Sequence, residues 1–86
     1  MRKHIPSTRA LLVFDAVARH HGVSKAAEEL CLTHSAVSQQ LRLLEGQLGL
    51  QLVQRGARGS TLTEVGRRYH EQIVGDLLRL QNHTLE

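Results

Sequence analysis

Residues 22–45, GVSKAAEELCLTHSAVSQQLRLLE, constrain the fold more than any other part of the chain. Ala26, Ala27 and Leu30 form one apolar helical face, the pattern breaks at Leu32-Thr33, and Val37, Leu41, Leu44 and Leu48 form a second face at helical spacing. Two short amphipathic helices separated by so tight a break must pack against each other at an angle. The opposite side of the second helix carries His34, Ser35, Ser38, Gln39 and Arg42. None is acidic, and all but one donate hydrogen bonds while uncharged. Such a face suits base edges and phosphates better than bulk solvent, and the whole reads as a helix-turn-helix.

The flanking sequence extends this pattern. Pro6-Ser7 is a helix start, and Ala10–Ala18 reads as a first helix with Leu11, Phe14 and Val17-Ala18 facing the core. Leu12 and Val13 fall off that stripe, leaving the helix apolar around most of its circumference, which predicts a partner surface. His20-His21-Gly22 supplies cations and then glycine where a helix C-terminus favours them. Ser24 opens the second helix, which runs to about Cys31, and Thr33 caps the third, which runs to Leu48 before Gly49. Leu50–Val53 and Ser60–Leu62 read as short strands around the basic turn Arg55-Gly56-Ala57-Arg58-Gly59. Standing alone, this hairpin fits a solvated loop with incidental arginines equally well. After a helix-turn-helix it is read as a wing, with Arg58 entering a minor groove and Arg55 anchoring phosphate.

Thr63 caps a final helix in which Tyr69, Ile73, Leu77, Leu80 and Thr84 recur at seam spacing, with Val65, Val74 and Leu78 widening the stripe. Burial within the domain is one reading of that stripe. A helix of some twenty residues has more apolar surface than three short helices cover, so the favoured reading is a homodimer with this helix at the interface. Tyr69, Ile73, Leu77 and Leu80, with Leu12 and Val13, are therefore the expected dimer contacts. Two recognition helices related by a two-fold axis would then meet half-sites of an interrupted palindrome roughly 34 Å apart.

Composition narrows the classes. At 86 residues the chain holds one small domain. Its net charge of +3 is unevenly placed: residues 1–25 carry five basic groups against Asp15, and 33–68 carry five arginines against Glu45 and Glu64. The segment 69–86 reverses sign. The basic excess sits where release of counterions from phosphate would require it. An aromatic content of 2% disfavours a single-strand reader built on base stacking. One cysteine, Cys31, excludes an internal disulfide and fits a reducing cytoplasm. No apolar run approaches the ~18–20 residues of a membrane span, so no membrane partner is expected.

No nucleophile–base set or glycine-rich phosphate loop appears, so an enzyme is not expected. Cys31-x-x-His34 with His20-His21 falls short of the ligand spacing of a structural zinc site, and neither metal nor cofactor is expected. The competing reading is a small helical dimerisation or adaptor module that binds protein.

The residues Leu11-x-x-Phe14-x-x-Val17, Ala26-Ala27-x-x-Leu30 and Ala36-Val37-Ser38-x-Gln40-Leu41-x-x-Leu44-Glu45 occur in one order with Leu48-Gly49-x-x-Leu52-x-x-Arg55 and Leu62-Thr63-x-x-Gly66. In this the chain resembles the N-terminal DNA-binding domain of LysR-type transcriptional regulators over nearly its whole length. Ile5-Pro6, Ala18-Arg19-His20, Thr33-His34-Ser35-Ala36 and Arg55-Gly56-x-Arg58-Gly59 look most like the branch holding activators of β-lactamase and glycine-cleavage genes.

The resemblance implies a mainly α winged helix-turn-helix over 1–63, with a short two-stranded wing, and a linker and dimerisation helix over 64–86. It implies an operator-reading domain for double-stranded DNA. By position, His34, Ser35, Ser38 and Gln39 would face base edges or adjacent phosphates, Ser24, Thr33 and Arg42 the DNA backbone, and Arg58 the minor groove. The family's small-molecule effector would act only through a C-terminal domain that this sequence does not contain, and full-length proteins can form oligomers above the dimer. Two departures shrink the core: Gly22-Val23 replaces the usual serine–aromatic pair, and Val53 replaces a phenylalanine.

Overall fold

The computed structural model describes the backbone of residues 7–56 and 59–85, with side chains of that set except 78 and 80–85. Pro6, Arg58 and the side chains of Leu78, Leu80 and Thr84, all used above, lie outside the described residues. The elements run α1 (Thr8–His20), α2 (Val23–Leu30), α3 (His34–Leu48), β1 (Val53–Gly56), β2 (Gly59–Leu62) and α4 (Glu64–Leu85).

Three hydroxyls set three of the helix starts. Ser7 Oγ accepts from the Ala10 N–H at 3.1 Å, Thr33 Oγ1 from Ala36 at 3.0 Å and Thr63 Oγ1 from Gly66 at 2.9 Å. Each satisfies one donor that its helix cannot. The exception is α2: it begins at Val23, one residue before the expected start, with Gly22 as an N-cap that offers no side-chain acceptor. Gly22 thus leaves that helix start without a side-chain cap.

Helix α1 is the centre of the domain. It packs against α2 and α3 on one side and α4 on another. Phe14, Ala16, Val17, Ala26, Val37, Leu41, Leu44 and Leu52 are buried around it. This overturns the reading of Val13 as a partner contact. Val13 is 1% exposed and belongs to the core, because the wide apolar circumference of α1 is covered by helices of its own chain. Leu12 is half-buried beside an open apolar groove with Arg9, Leu30 and Leu32.

The same correction applies to α4. Ile73 and Leu77 are buried in the core cluster, and Tyr69 is half-buried with its ring centroid 5.9 Å from that of Phe14. Burial pushes the Tyr69 hydroxyl pKa up. His70 meets Phe14 edge-on at 5.8 Å and its Nε2 lies 2.8 Å from Asp15 Oδ1. The part of the seam that can be seen is therefore filled by α1 of the same chain. Val65 and Val74, which were read as widening the stripe, remain exposed.

The first strand begins later than expected, at Val53 instead of Leu50. The cause is Glu45, whose Oε2 accepts from the Leu52 N–H at 2.8 Å and the Val53 N–H at 3.1 Å. Those donors are tied to α3, and Leu52 is drawn fully into the core. Past that staple the two strands pair antiparallel, with Arg55 opposite Ser60 and Gly56 opposite Gly59. Gly59 adopts φ +117, and a Cβ there would stand 3.2 Å from the His21 carbonyl oxygen. The start of β2, at the turn end of the hairpin, is thereby set closely against the α1–α2 turn, which requires glycine.

Candidate nucleic-acid interface

Thr33 holds α3 at its N-terminus, and one face of that helix is left to solvent. His34, Ser35, Gln39 and Arg42 are exposed there, as expected. Ser38 is not: it is 7% exposed. Consecutive residues of an α-helix are separated by little more than a quarter turn, so Ser38 flanks the Val37–Leu41 stripe and is drawn in with it. Leu43, which the sequence reading passed over, is 53% exposed on the far half of the helix.

The first turns of α2 and α3 meet. Ser24 Oγ and His34 Nε2 share a hydrogen bond of 2.9 Å, and both side chains are exposed. Beside them a cleft of about 400 Å³ separates the helix-turn-helix from the wing. His20, His21, Lys25 and Arg55 line it with Ser24 and His34, and no carboxylate does so among the described residues. The open start of α2 adds the partial positive charge of an uncapped helix N-terminus. The result is a concave, cationic surface continuous with the outer face of α3.

Sequence reasoning singled out Ser24, His34 and Arg55 but not Lys25, His20 or His21 as neighbours of that face. From sequence the two histidines terminate α1 and, with Cys31 and His34, fall short of a zinc site. Their placement beside the wing depends on His21 taking the left-handed conformation, φ 55, which turns the chain back toward β2. A cation immediately after Ser24 was the available signal for Lys25.

Behind the cleft's His20, acidic groups are paired with cations of the chain. Arg19 donates to Glu29 at 2.6 and 3.0 Å and to Asp15 at 2.9 Å, and His20 Nε2 lies 2.6 Å from Glu29 Oε1. The Arg19 hydrogen bonds, then that of His20, hold the Glu29 carboxyl down at about 2. Those carboxylates raise the Arg19 pKa in turn. The network links α1 to α2 and keeps Asp15 and Glu29 engaged with protein cations. Among the described residues no three His, Cys, Asp or Glu side chains gather as a metal-ligand set.

A helix-turn-helix, a two-stranded wing and a cationic cleft between them define a winged helix-turn-helix domain. The family model for bacterial regulatory helix-turn-helix proteins of the lysR family matches residues 8–67. The chain belongs to that family.

It is 49% identical over 93 aligned positions to the HTH-type transcriptional regulator TrpI of Pseudomonas aeruginosa, covering 100% of this chain and 32% of that protein. It is 43% identical over 84 positions to the glycine cleavage system transcriptional activator homolog of Haemophilus influenzae, covering 98% of this chain and 28% of that protein. The AmpR activator of Citrobacter freundii matches at 49% over 65 positions, 76% of this chain and 22% of its own length. Relatives thus include a glycine-cleavage activator homolog, one of the kinds expected from the sequence.

Among solved structures, the BenM DBD–benA site 1 DNA complex superposes with a TM-score of 0.84 at 31% identity, covering 91% of this chain and 88% of that one. The CbnR DBD–DNA complex gives 0.81 at 31% identity, with the same coverage of each chain. The chain spans about a third of the length of the first curated relatives it matches.

Proposed function

We propose that this chain is the operator-reading part of a bacterial transcriptional regulator and binds double-stranded DNA sequence-specifically as a homodimer. The observation that carries this is the exposed His34, Ser35, Gln39 and Arg42 face of α3 running into a cationic, carboxylate-free cleft. Likeness to two protein–DNA complexes supports it.

In this reading α3 enters the major groove. His34, Ser35 and Gln39 meet base edges, and Gln39 has the paired donor and acceptor that adenine requires, a match of about 1–3 kcal/mol of discrimination. Ser24, Thr33, Arg42 and Arg55 meet the DNA backbone. Ser38 supports the helix from behind. Arg58, expected to reach the minor groove, lies outside the described residues. Residues 64–86 serve as the linker to an effector domain that binds a small molecule, and the protein works in the cytoplasm. None of the described helices is long and apolar enough to cross a membrane. The homodimer uses apolar surface left outside the core, including Val74 of α4 and the Leu12 groove of α1.

Fluorescence anisotropy against an interrupted palindrome with an AT-rich centre, and against a scrambled duplex of equal composition, tests this at several salt concentrations. Tighter binding to the palindrome with a steep salt slope is expected. Absence of binding by the folded chain to either duplex would favour the protein-binding adaptor instead.

A further inference from the structure

We infer that Ser24 is a specificity residue acting through His34: its hydroxyl fixes the hydrogen-bonding polarity of the His34 ring, so that His34 selects a base bearing an amine. The inference rests on the DNA reading above. It begins from the 2.9 Å hydrogen bond between Ser24 Oγ and His34 Nε2, which spans the first turns of two helices.

A hydroxyl has one proton, and a neutral imidazole has one N–H. Either Ser24 donates to Nε2 or Nε2–H donates to Ser24, and what else the hydroxyl meets decides which. Ser24 stands in the first turn of α2, where Gly22 supplies no side-chain cap, and the cleft around it carries Lys25, Arg55, His20 and His21 with no lining carboxylate. The group that such a place attracts is an anion, here a phosphate of the duplex. Phosphate oxygens only accept. The Ser24 proton is therefore committed to phosphate, and its Oγ is left to accept from His34 Nε2–H.

That choice sets the other side of the ring. With the single proton on Nε2, Nδ1 becomes an acceptor, and it has no hydrogen-bond partner among the described residues. In the major groove an acceptor is matched by the N6 amine of adenine or the N4 amine of cytosine and repelled by guanine O6 and N7 and by thymine O4. The chain phosphate, Ser24, His34, base is one run of hydrogen bonds with a single direction. A contact that by itself carries no sequence information thus biases the base contact next to it.

The experiment is a selection from a duplex library with a randomised half-site, run with the wild-type 86-residue chain and with Ser24→Ala, Ser24→Thr and His34→Ala. The base pair whose preference disappears in His34→Ala marks the His34 contact. There the wild type should prefer one base pair by about five-fold, the discrimination of one hydrogen bond, and lose that preference when the pair's adenine is replaced by purine or its cytosine by 2-pyrimidinone, which removes the major-groove amine. Ser24→Thr should keep that preference. Ser24→Ala should reduce it to less than about two-fold while leaving preferences at other positions intact.

If Ser24→Ala weakens binding evenly and keeps the preference, Ser24 is a phosphate contact alone and the inference is wrong. A wild-type affinity that is unchanged when the amine of the marked pair is removed overturns it as well. If the wild type selects no sequence, the DNA reading itself fails and takes the inference with it. Thermal melts of all four proteins confirm that each folds.

Discussion

The same substitution, glycine to alanine, should have opposite effects at two helical positions of this chain. Gly46 lies in α3 with nothing within 4 Å of the place a Cβ would occupy. Gly46→Ala removes only the entropic disadvantage of glycine in a helix and should stabilise by about 0.5–1 kcal/mol. Gly66 lies in the first turn of α4, where a Cβ would stand 2.0 Å from the Leu52 carbonyl oxygen and 2.9 Å from its carbon. To reach the 3.4 Å of ordinary contact, backbone must move by about 1.4 Å (3.4 − 2.0). Leu52 is poorly able to yield: its side chain is fully buried, its N–H is bound by Glu45, and its carbonyl accepts from Thr63 N–H at 3.0 Å. Overpacking against fixed backbone costs about 3 kcal/mol or more, against a propensity gain of at most about 1. Gly66→Ala should therefore lose about 2 kcal/mol net, a fall in Tm of about 8–16 °C for a domain of this size. Calorimetric or circular-dichroism melts of both variants beside the wild type check the pair. A Gly66→Ala protein that melts within ~2 °C of the wild type, or above it, would refute the claim that close approach of α4 to Leu52 fixes the glycine.

Three further predictions concern the packing and assembly. Glu45→Ala frees the Leu52 and Val53 N–H groups of a shared carboxylate acceptor and should cost about 2–4 kcal/mol, read as a lower urea midpoint with little change in m value. Glu29, held at about 2, gives stability that is present above the usual carboxylate range and is lost as pH falls from ~4.5 toward 2. Because both partners of its ion pair with Arg19 are more than a third exposed, that loss should stay under about 1 kcal/mol, and Glu29→Gln should abolish its pH dependence in acid melts. Val74→Glu, at an exposed position of α4, should leave the melting temperature within a few degrees while raising the dimer dissociation constant in sedimentation equilibrium. An unchanged constant would move the proposed interface off that face.

Much of the architecture was legible because local chemistry and periodicity agree along this chain. Ser7, Thr33 and Thr63 cap helices where hydroxyls precede apolar periods, and Val37, Leu41 and Leu44 are buried as their spacing requires. What periodicity could not reveal was which neighbour a stripe faces. Val13, Ile73 and Leu77 look alike whether the covering helix belongs to the same chain or to a second copy, and here α1 and α4 cover each other. Ser38 failed for a related reason, since a small residue at the edge of an apolar stripe is drawn in with its neighbours. The late start of β1 was hidden because Glu45 reaches seven and eight residues along the chain to bind backbone, a contact with no sequence periodicity. The Ser24–His34 pair depends on how two helix starts converge, so its members were identifiable singly but not as a pair.

An amide chemical-shift titration of the ¹⁵N-labelled chain with the preferred duplex reads the DNA interface residue by residue. The largest perturbations should fall on His34–Arg42, Ser24, Lys25 and Arg55, with α4 around Val74 little changed when the protein is already dimeric. Perturbations confined to α4 and the Leu12 groove, with α3 silent, would contradict the DNA reading.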